Sequence, residues 1–286
     1  MNEQHDDTLR PRMRVLTPGR RQADRAARRF RRGVYLLPSM FTMGNMFCGY
    51  ACIVYAMRGD FETAALFIGI AIVLDMLDGR IARLTGTASD FGVELDSLAD
   101  VISFGVAPAI LSFAWGLHPL GRLGYAAGFL YVSAAALRLA RFNIQSAVIT
   151  DKRYFVGLPS PPAAGIAAST VYFYPAGLHD YRAALPALAM VLIPAMLMVS
   201  TIRFRSFKTI DLKMRRPYTV LFLIALGIMA IATHPKIVLI VIAYSYLVSA
   251  FVGMAISRFR HHRVAQAPPS GEVPVETTPR RRRADR

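Results

Sequence analysis

Asp75-x2-Asp78-Gly79-x2-Ala82-Arg83-x8-Gly92-x3-Asp96-x3-Asp100 is a run of 26 residues set inside sequence that otherwise belongs in a lipid bilayer. An Asp at mid-helix depth in a membrane costs about 2.5–3.5 kcal/mol on insertion scales, so four left unpaired would cost roughly 10 kcal/mol or more. Helix packing alone does not offset that, and the acids need a task. Asp75 and Asp78 are three apart and share one helix face, with Gly79 and Ala82 placing small residues beside them. Asp96 and Asp100 are four apart and share a face of the next helix. If the two faces meet, about four negative charges gather, and these coexist only where protons or cations neutralise them. Two divalent cations would balance the charge. With no His or Cys in the run, the all-oxygen ligand set favours Mg2+, Mn2+ or Ca2+ over Zn2+. Phosphate chemistry is the usual reason for such a site.

The same string resembles the signature of the CDP-alcohol phosphatidyltransferase family, with all eight specified positions present at their spacing. A lone Asp-x2-Asp would carry little weight; eight fixed positions are specific. The resemblance implies transfer of a phosphatidyl or similar group from a CDP-linked donor to an alcohol, with release of CMP. It also implies that Asp75, Asp78 and Asp96 hold two divalent ions, Mg2+ or Mn2+, and that Asp100 completes the second ion's site or takes the proton from the alcohol as general base. Gly79 and Ala82 would leave room for the nucleotide, and Arg83, Ser89 and Gly92 would contact the donor. The structural alternative for Arg83 is a snorkelling residue at a membrane edge.

Composition agrees with a membrane setting. The chain has 286 residues, 54 % of them hydrophobic, and a mean hydropathy of +0.37, too apolar for an ordinary soluble domain and long enough for one helical bundle. Apolar segments fall at 34–57, 61–84, 92–116, 120–142, 159–177, 182–202, 217–233 and 236–257, most of them near the roughly 20 residues a spanning helix requires. The expected fold is all-α, a polytopic bundle of about eight transmembrane helices. Its domain covers 34–257, between a basic N-terminal tail at 1–33 and a basic, disordered C-terminal tail at 258–286. The first apolar run is longer than a signal-peptide core and is expected to stay as a membrane helix.

The formal net charge of +16 matters less than where it sits. With eight spans, the tails and even-numbered loops hold 30 of the 34 Lys and Arg residues, and the other loops hold only Arg58, Arg122, Arg182 and Lys236. That split puts both termini and the turn between the second and third helices on the cytoplasmic side of the membrane. Nucleic acid is excluded as the partner, because no soluble domain remains to hold a duplex. Residues 20–32 form either a short helix on an anionic leaflet or a solvated tail. Cys48 and Cys52 are four apart on one apolar helix, too far apart for an unstrained disulfide, and read as small packing residues. His118, His179 and His234 fall in the outer loops, away from the acids.

Three further stretches extend the pattern. Pro38, Thr42, Asn45 and Gly49 mark the first helix, the last three on one face, where a polar and small stripe serves either close packing or a ligand. Pro108 removes a backbone donor from the third helix and should kink it. The fourth helix ends Arg138-Leu139-Ala140-Arg141-Phe142-Asn143, whose cations either snorkel or clamp an anion, and Phe155 to Pro162 then opens the fifth helix on prolines. Together these resemble the bacterial integral-membrane phosphatidylserine synthases over about 36–165. That resemblance implies Thr42 and Asn45 as donor contacts, CDP-diacylglycerol and L-serine as substrates, Arg138, Arg141 and Asn143 as receivers of the serine carboxylate, and a homodimer among membrane lipids. Glycerol 3-phosphate, inositol or inositol phosphate, and choline remain alternative acceptors. An ion or proton transporter using buried carboxylates is the alternative of another class, although no repeated second half is present to favour it. Helices six to eight carry no buried acid and read as scaffold.

Overall fold

A computed structural model describes residues 39–85, 89–148, 154–200, 203–205 and 217–265. The expectations for the N-terminal tail, for residues 206–216 of the basic loop, and for the C-terminal tail beyond 265 lie outside the described residues. Eight helical runs follow one another: α1 over Ser39–Met57, α2 over Phe61–Thr85, α3 from Asp90 to Leu120, α4 over Arg122–Val148, α5 over Ser160–Phe173, α6 over Tyr181–Val199, α7 over Pro217–Thr233 and α8 over Pro235–Ala265. Four of them are long and apolar enough to cross a membrane: α1, Phe91–Leu120 within α3, Arg122–Gln145 within α4, and α6. At 25 residues α2 has the length to cross as well, but its apolar run is interrupted by Asp75, Asp78, Arg80 and Arg83.

Local chemistry sets the helix ends. Asp60 Oδ1 accepts from the Thr63 backbone N–H at 3.1 Å and starts α2. Ser89 does the same for α3, its Oγ accepting from Gly92 N at 3.0 Å. Pro161 and Pro162 sit in the first turn of α5, where a missing N–H costs nothing. α8 runs on to Ala265, past the apolar segment, since apolarity sets how far a helix can lie in lipid and not where its hydrogen bonding stops.

The winding of α3 is not uniform. It is α-helical over Asp90–Asp100, π-helical over Val101–Val106, α-helical over Ala107–Ser112, π-helical over Phe113–Leu117, and closes on a 3-10 turn at His118–Leu120. The Ala107 N–H reaches back five residues to Ile102 O. The disturbance expected at Pro108 thus takes the form of a widened turn on its N-terminal side.

The chain departs from an all-α reading in one place among the described residues. β1 (Tyr154–Val156) and β2 (Arg203–Arg205) form a two-stranded antiparallel ribbon with Phe155 opposite Phe204. Two connections that meet at one end of the bundle satisfy each other's backbone groups this way. Gly157 follows at φ +86, and a Cβ there would lie 2.4 Å from Met198 O, so only glycine makes the turn into Leu158.

Small residues dominate the core. α5 lies against both α2 and α8, and α4 lies along α6, through Ala64, Ala71, Ala163, Ala167, Ala135 and Ala187, all buried. Interfaces of this kind let helix backbones approach closely where lipid offers no hydrophobic drive. The opposite faces expose Met43, Phe47, Tyr50, Phe129 and Met196, as a lipid-facing surface should. At the end remote from the acids, Trp115 Nε1 donates to Tyr174 O at 2.7 Å and Lys236 pairs with Glu62 at 2.7 Å.

Candidate active site

Helices α2 and α3 bring their acids together. Asp75, Asp96 and Asp100 each offer an oxygen, and these oxygens lie within 4.8 Å of one another. A cation of the size of Mg2+ or Mn2+ binds oxygen at about 2.0–2.2 Å, so oxygens that share one lie at most about 4.4 Å apart, and this triad needs to close by only a few tenths of an ångström to hold one. Asp78 is 5 % exposed and turns the other way, accepting a hydrogen bond from Thr42 Oγ1 of α1. It stays close enough to Asp75 and Asp96 for their charges to repel. Three of the four carboxylates expected from the sequence therefore form one cluster, and the fourth is held beside it by a hydroxyl.

Asp100 is 8 % exposed and accepts from Asn45 Nδ2 at 3.4 Å. The remaining Asn45 oxygen, Oδ1, is buried with no hydrogen-bond partner. Both first-helix residues singled out in the sequence thus touch an acid, one from each acid-bearing helix.

Arg138 is the cation of the site. Its guanidinium interacts with the charges of Asp75 and Asp100, donates from Nη1 to Ser160 Oγ at 2.8 Å, and lies 5.6 Å from the centre of the Phe142 ring. Arg141 is exposed on the same helix. Asn143 donates from Nδ2 to Ser97 Oγ at 2.9 Å, and Ser97, one residue after Asp96, donates in turn to Val93 O at 2.9 Å. Arg83 is exposed at the end of α2, and a Cβ on Gly79 would lie 3.6 Å from its Nη2. Ala82 is half-buried. Ser89 and Gly92 meet in the α3 cap, where a Cβ on Gly92 would come within 3.1 Å of Ser89 Oγ.

Beside Asp75 opens an apolar cavity of about 560 Å³ between α2, α5 and α8, lined among others by Ile72, Met76, Pro162, Ile242 and Tyr246. Sequence reasoning left α8 as scaffold and did not single out Ser160, Ser103 or Tyr246. Ser160 had a local signal, a hydroxyl at the start of a proline-opened helix. Ser103 had another, three residues after Asp100 and on its face. Tyr246 had none, since it lies far along the chain from every acid.

A carboxylate triad contributed by two neighbouring helices of an apolar bundle, with one arginine at its side, is chemistry suited to phosphate esters in a membrane. The family model described as CDP-alcohol phosphatidyltransferase matches residues 35–202, and the chain belongs to that family of transferases. Among its relatives, the CDP-diacylglycerol--serine O-phosphatidyltransferase of Helicobacter pylori is 38 % identical over 198 residues, covering 68 % of this chain and 81 % of that one. The protein of the same name from Bacillus subtilis is 36 % identical over 172 residues, 60 % of this chain and 91 % of its own. The archaetidylserine synthase of Methanothermobacter thermautotrophicus is 36 % identical over 170 residues, covering 59 % and 69 % respectively.

Proposed function

We propose that the protein transfers the phosphatidyl group of CDP-diacylglycerol to the hydroxyl of L-serine, giving phosphatidylserine and CMP. The observation that carries this reading is the gathering of Asp75, Asp96 and Asp100 within 4.8 Å on the positions that fit the family signature. Serine as the acceptor is supported by the relatives, whose names each put serine on the acceptor or product side.

The serine oxygen attacks the phosphorus that carries diacylglycerol, a new P–O bond forms, and the P–O bond to the CMP oxygen breaks. Asp100 takes the hydroxyl proton as that bond forms. Two divalent ions, Mg2+ or Mn2+, bound by Asp75, Asp78, Asp96 and Asp100, would supply charge neutralisation for the diphosphate and for the departing CMP. Thr42 donates to only one oxygen of Asp78, Oδ2, so the other can bind an ion with that hydrogen bond kept. Thr42, Asn45, Gly79, Ala82, Arg83, Ser89 and Gly92 line the donor side in this reading, and the unpartnered Asn45 Oδ1 is an acceptor free for a donor hydroxyl or amine. The apolar cavity next to Asp75 is suited to an acyl chain. Arg138 and Arg141 receive the serine carboxylate, and Asn143 supports the same side.

The domain extends over 34–257, with about eight transmembrane helices, both termini cytoplasmic and the acids in the cytoplasmic half of the bacterial cytoplasmic membrane. The split of 30 basic residues to 4 supports that orientation. Pairing of β1 with β2 puts the connections that carry them on one side, as the eight-helix count requires, without deciding which. A homodimer rests on the family resemblance.

The test is CMP release by purified protein with CDP-diacylglycerol, offered serine, glycerol 3-phosphate, inositol, inositol phosphate and choline in turn. Serine should be used at least tenfold faster than any other. Preference for another alcohol would refute the acceptor assignment, and no CMP release with any of them would refute the transfer.

A further inference from the structure

α1 touches the acid cluster at two points and α3 at a third, where the two backbones pack without room for a side chain. Its buried stripe runs Thr42, Asn45, Cys48, Cys52 and Ala56, while Met40, Phe47 and Tyr50 on the opposite face are exposed. Thr42 and Asn45 are three residues apart, a rise of about 4.5 Å, and in that distance the helix reaches from Asp78 of α2 to Asp100 of α3. One turn further on, Gly49 meets Ser103: a Cβ at 49 would stand 2.6 Å from Ser103 Oγ and 2.8 Å from Ser103 Cα. Ser103 Oγ in turn donates to the Asn45 backbone oxygen at 2.9 Å. Cys52 Sγ adds a weak bond to Ala107 O at 3.9 Å. The Ser103 contact falls within the π-helical turn that begins immediately after Asp100.

We propose that α1 is the template that sets the spacing between the carboxylates of α2 and those of α3, with the Gly49 to Ser103 contact as its fulcrum and Ser103 and Asn45 as positioning residues. The proposal rests on the cation-binding role given above to the acids and adds what holds them at the right separation. Its sensitivity follows from the distances. Carbon atoms settle about 3.5–4.0 Å apart, so a methyl group at 49 forces the two helices to part by on the order of 1 Å. The Asn45 to Asp100 bond, at 3.4 Å, already sits at the outer limit of a hydrogen bond and cannot survive that shift. Asp100 then loses the group that aims it, while Asp78 remains tied to Thr42 on the displaced helix. Metal–ligand distances in cation sites stay within about 0.2 Å of their set values, so the first property to suffer is cation affinity.

Three variants test this, with direct Mn2+ binding to the purified protein in the absence of substrate as the main measurement. Gly49→Ala should weaken Mn2+ binding by tenfold or more. Ser103→Ala creates no steric conflict and removes only the hydroxyl on the Asn45 carbonyl; it should weaken binding about three- to tenfold and raise the Mn2+ concentration for half-maximal CMP release equally, with the KM for serine unchanged. Gly44→Ala is the control, because its Cβ would meet only the end of the Leu74 side chain at 3.3 Å, and it should bind Mn2+ as the wild type does. Wild-type affinity in Ser103→Ala overturns the proposal, including in the case where Gly49→Ala fails to fold. Wild-type affinity in a folded Gly49→Ala overturns it as well. Failure of the unaltered protein to bind Mn2+ would instead remove the cation-binding role of the acids, which separates the two readings.

Discussion

Replacing Asp100 by Asn takes one charge and one proton acceptor out of the cluster and leaves its shape almost unchanged. The new amide still presents an oxygen to Asn45 Nδ2, 3.4 Å away, and fits a position that is 8 % exposed. Packing between α1 and α3 is therefore kept. The charge balance is not. With carboxylate oxygens within 4.8 Å of one another, each like-charged pair costs about 3–4 kcal/mol at an effective dielectric near 20 when nothing neutralises it. Asn at position 100 removes two such pairs. Protons and counter-ions take up part of that cost, and a net gain of ~2 kcal/mol would raise the melting temperature of chelator-treated protein by roughly 4–8 °C. Turnover should move the other way. Loss of the base lowers CMP release with serine by about 100-fold or more, or ~2.7 kcal/mol of barrier, while CDP-diacylglycerol binding changes only a few-fold. Thermal melts with chelator and with Mn2+, followed through the lone Trp115, and CMP release on the same preparations measure both. A chelated variant that melts at or below the wild type refutes the repulsion. Turnover within about tenfold of the wild type refutes the role as base, and a loss of donor binding as steep as the loss of turnover makes Asp100 a ligand only.

Chelator should abolish CMP release and Mg2+ or Mn2+ should restore it; full activity in metal-free buffer would contradict the cation reading. Arg138→Met should raise the KM for serine by about 30-fold or more, in the range for truncating one partner of a buried charge pair. Mn2+ affinity should hold or tighten in that variant, since a cation next to Asp75 and Asp100 has gone, and weaker Mn2+ binding would show that Arg138 instead props the cluster. An engineered cysteine within 203–216 should resist a membrane-impermeant reagent applied to intact cells and react once the membrane is opened; labelling from outside would reverse the orientation.

What the sequence makes legible follows from helical periodicity. Spacings of three and four put Asp75 with Asp78 and Asp96 with Asp100, and an unbroken acidic pattern inside apolar helices marks where the chemistry lies. The same periodicity says nothing about which carboxylate turns toward which neighbour. Asp78 lies beside the triad and accepts from Thr42, 36 residues away in sequence, and no local rule foresees that bond. Arg138 is visible as a cation at a helix end, but its anchoring on Ser160 depends on how α4 and α5 meet. The ribbon of Tyr154–Val156 and Arg203–Arg205 escapes notice because three residues are too few for an alternation to register. Tyr246 reaches the cavity wall from the apolar stretch of α8, which carries no acid to mark it.

The two π-helical turns of α3 give that helix more than one rotational phase. Each winds in one residue more than an α-turn would, and one residue corresponds to about 100° about the axis. The segment bearing Asp96 and Asp100, the middle segment from Ala107 to Ser112, and the end that anchors Trp115 on Tyr174 are thereby aimed separately, like cams set at different angles on one shaft. A single-residue deletion between 101 and 106 would let the helix close as a regular α-helix. Both acids would keep their facing relative to the Trp115 anchor, because the widened turn already absorbs the extra residue. Chains that differ by one residue in this stretch should accordingly be matched by the faces they present and not by residue count.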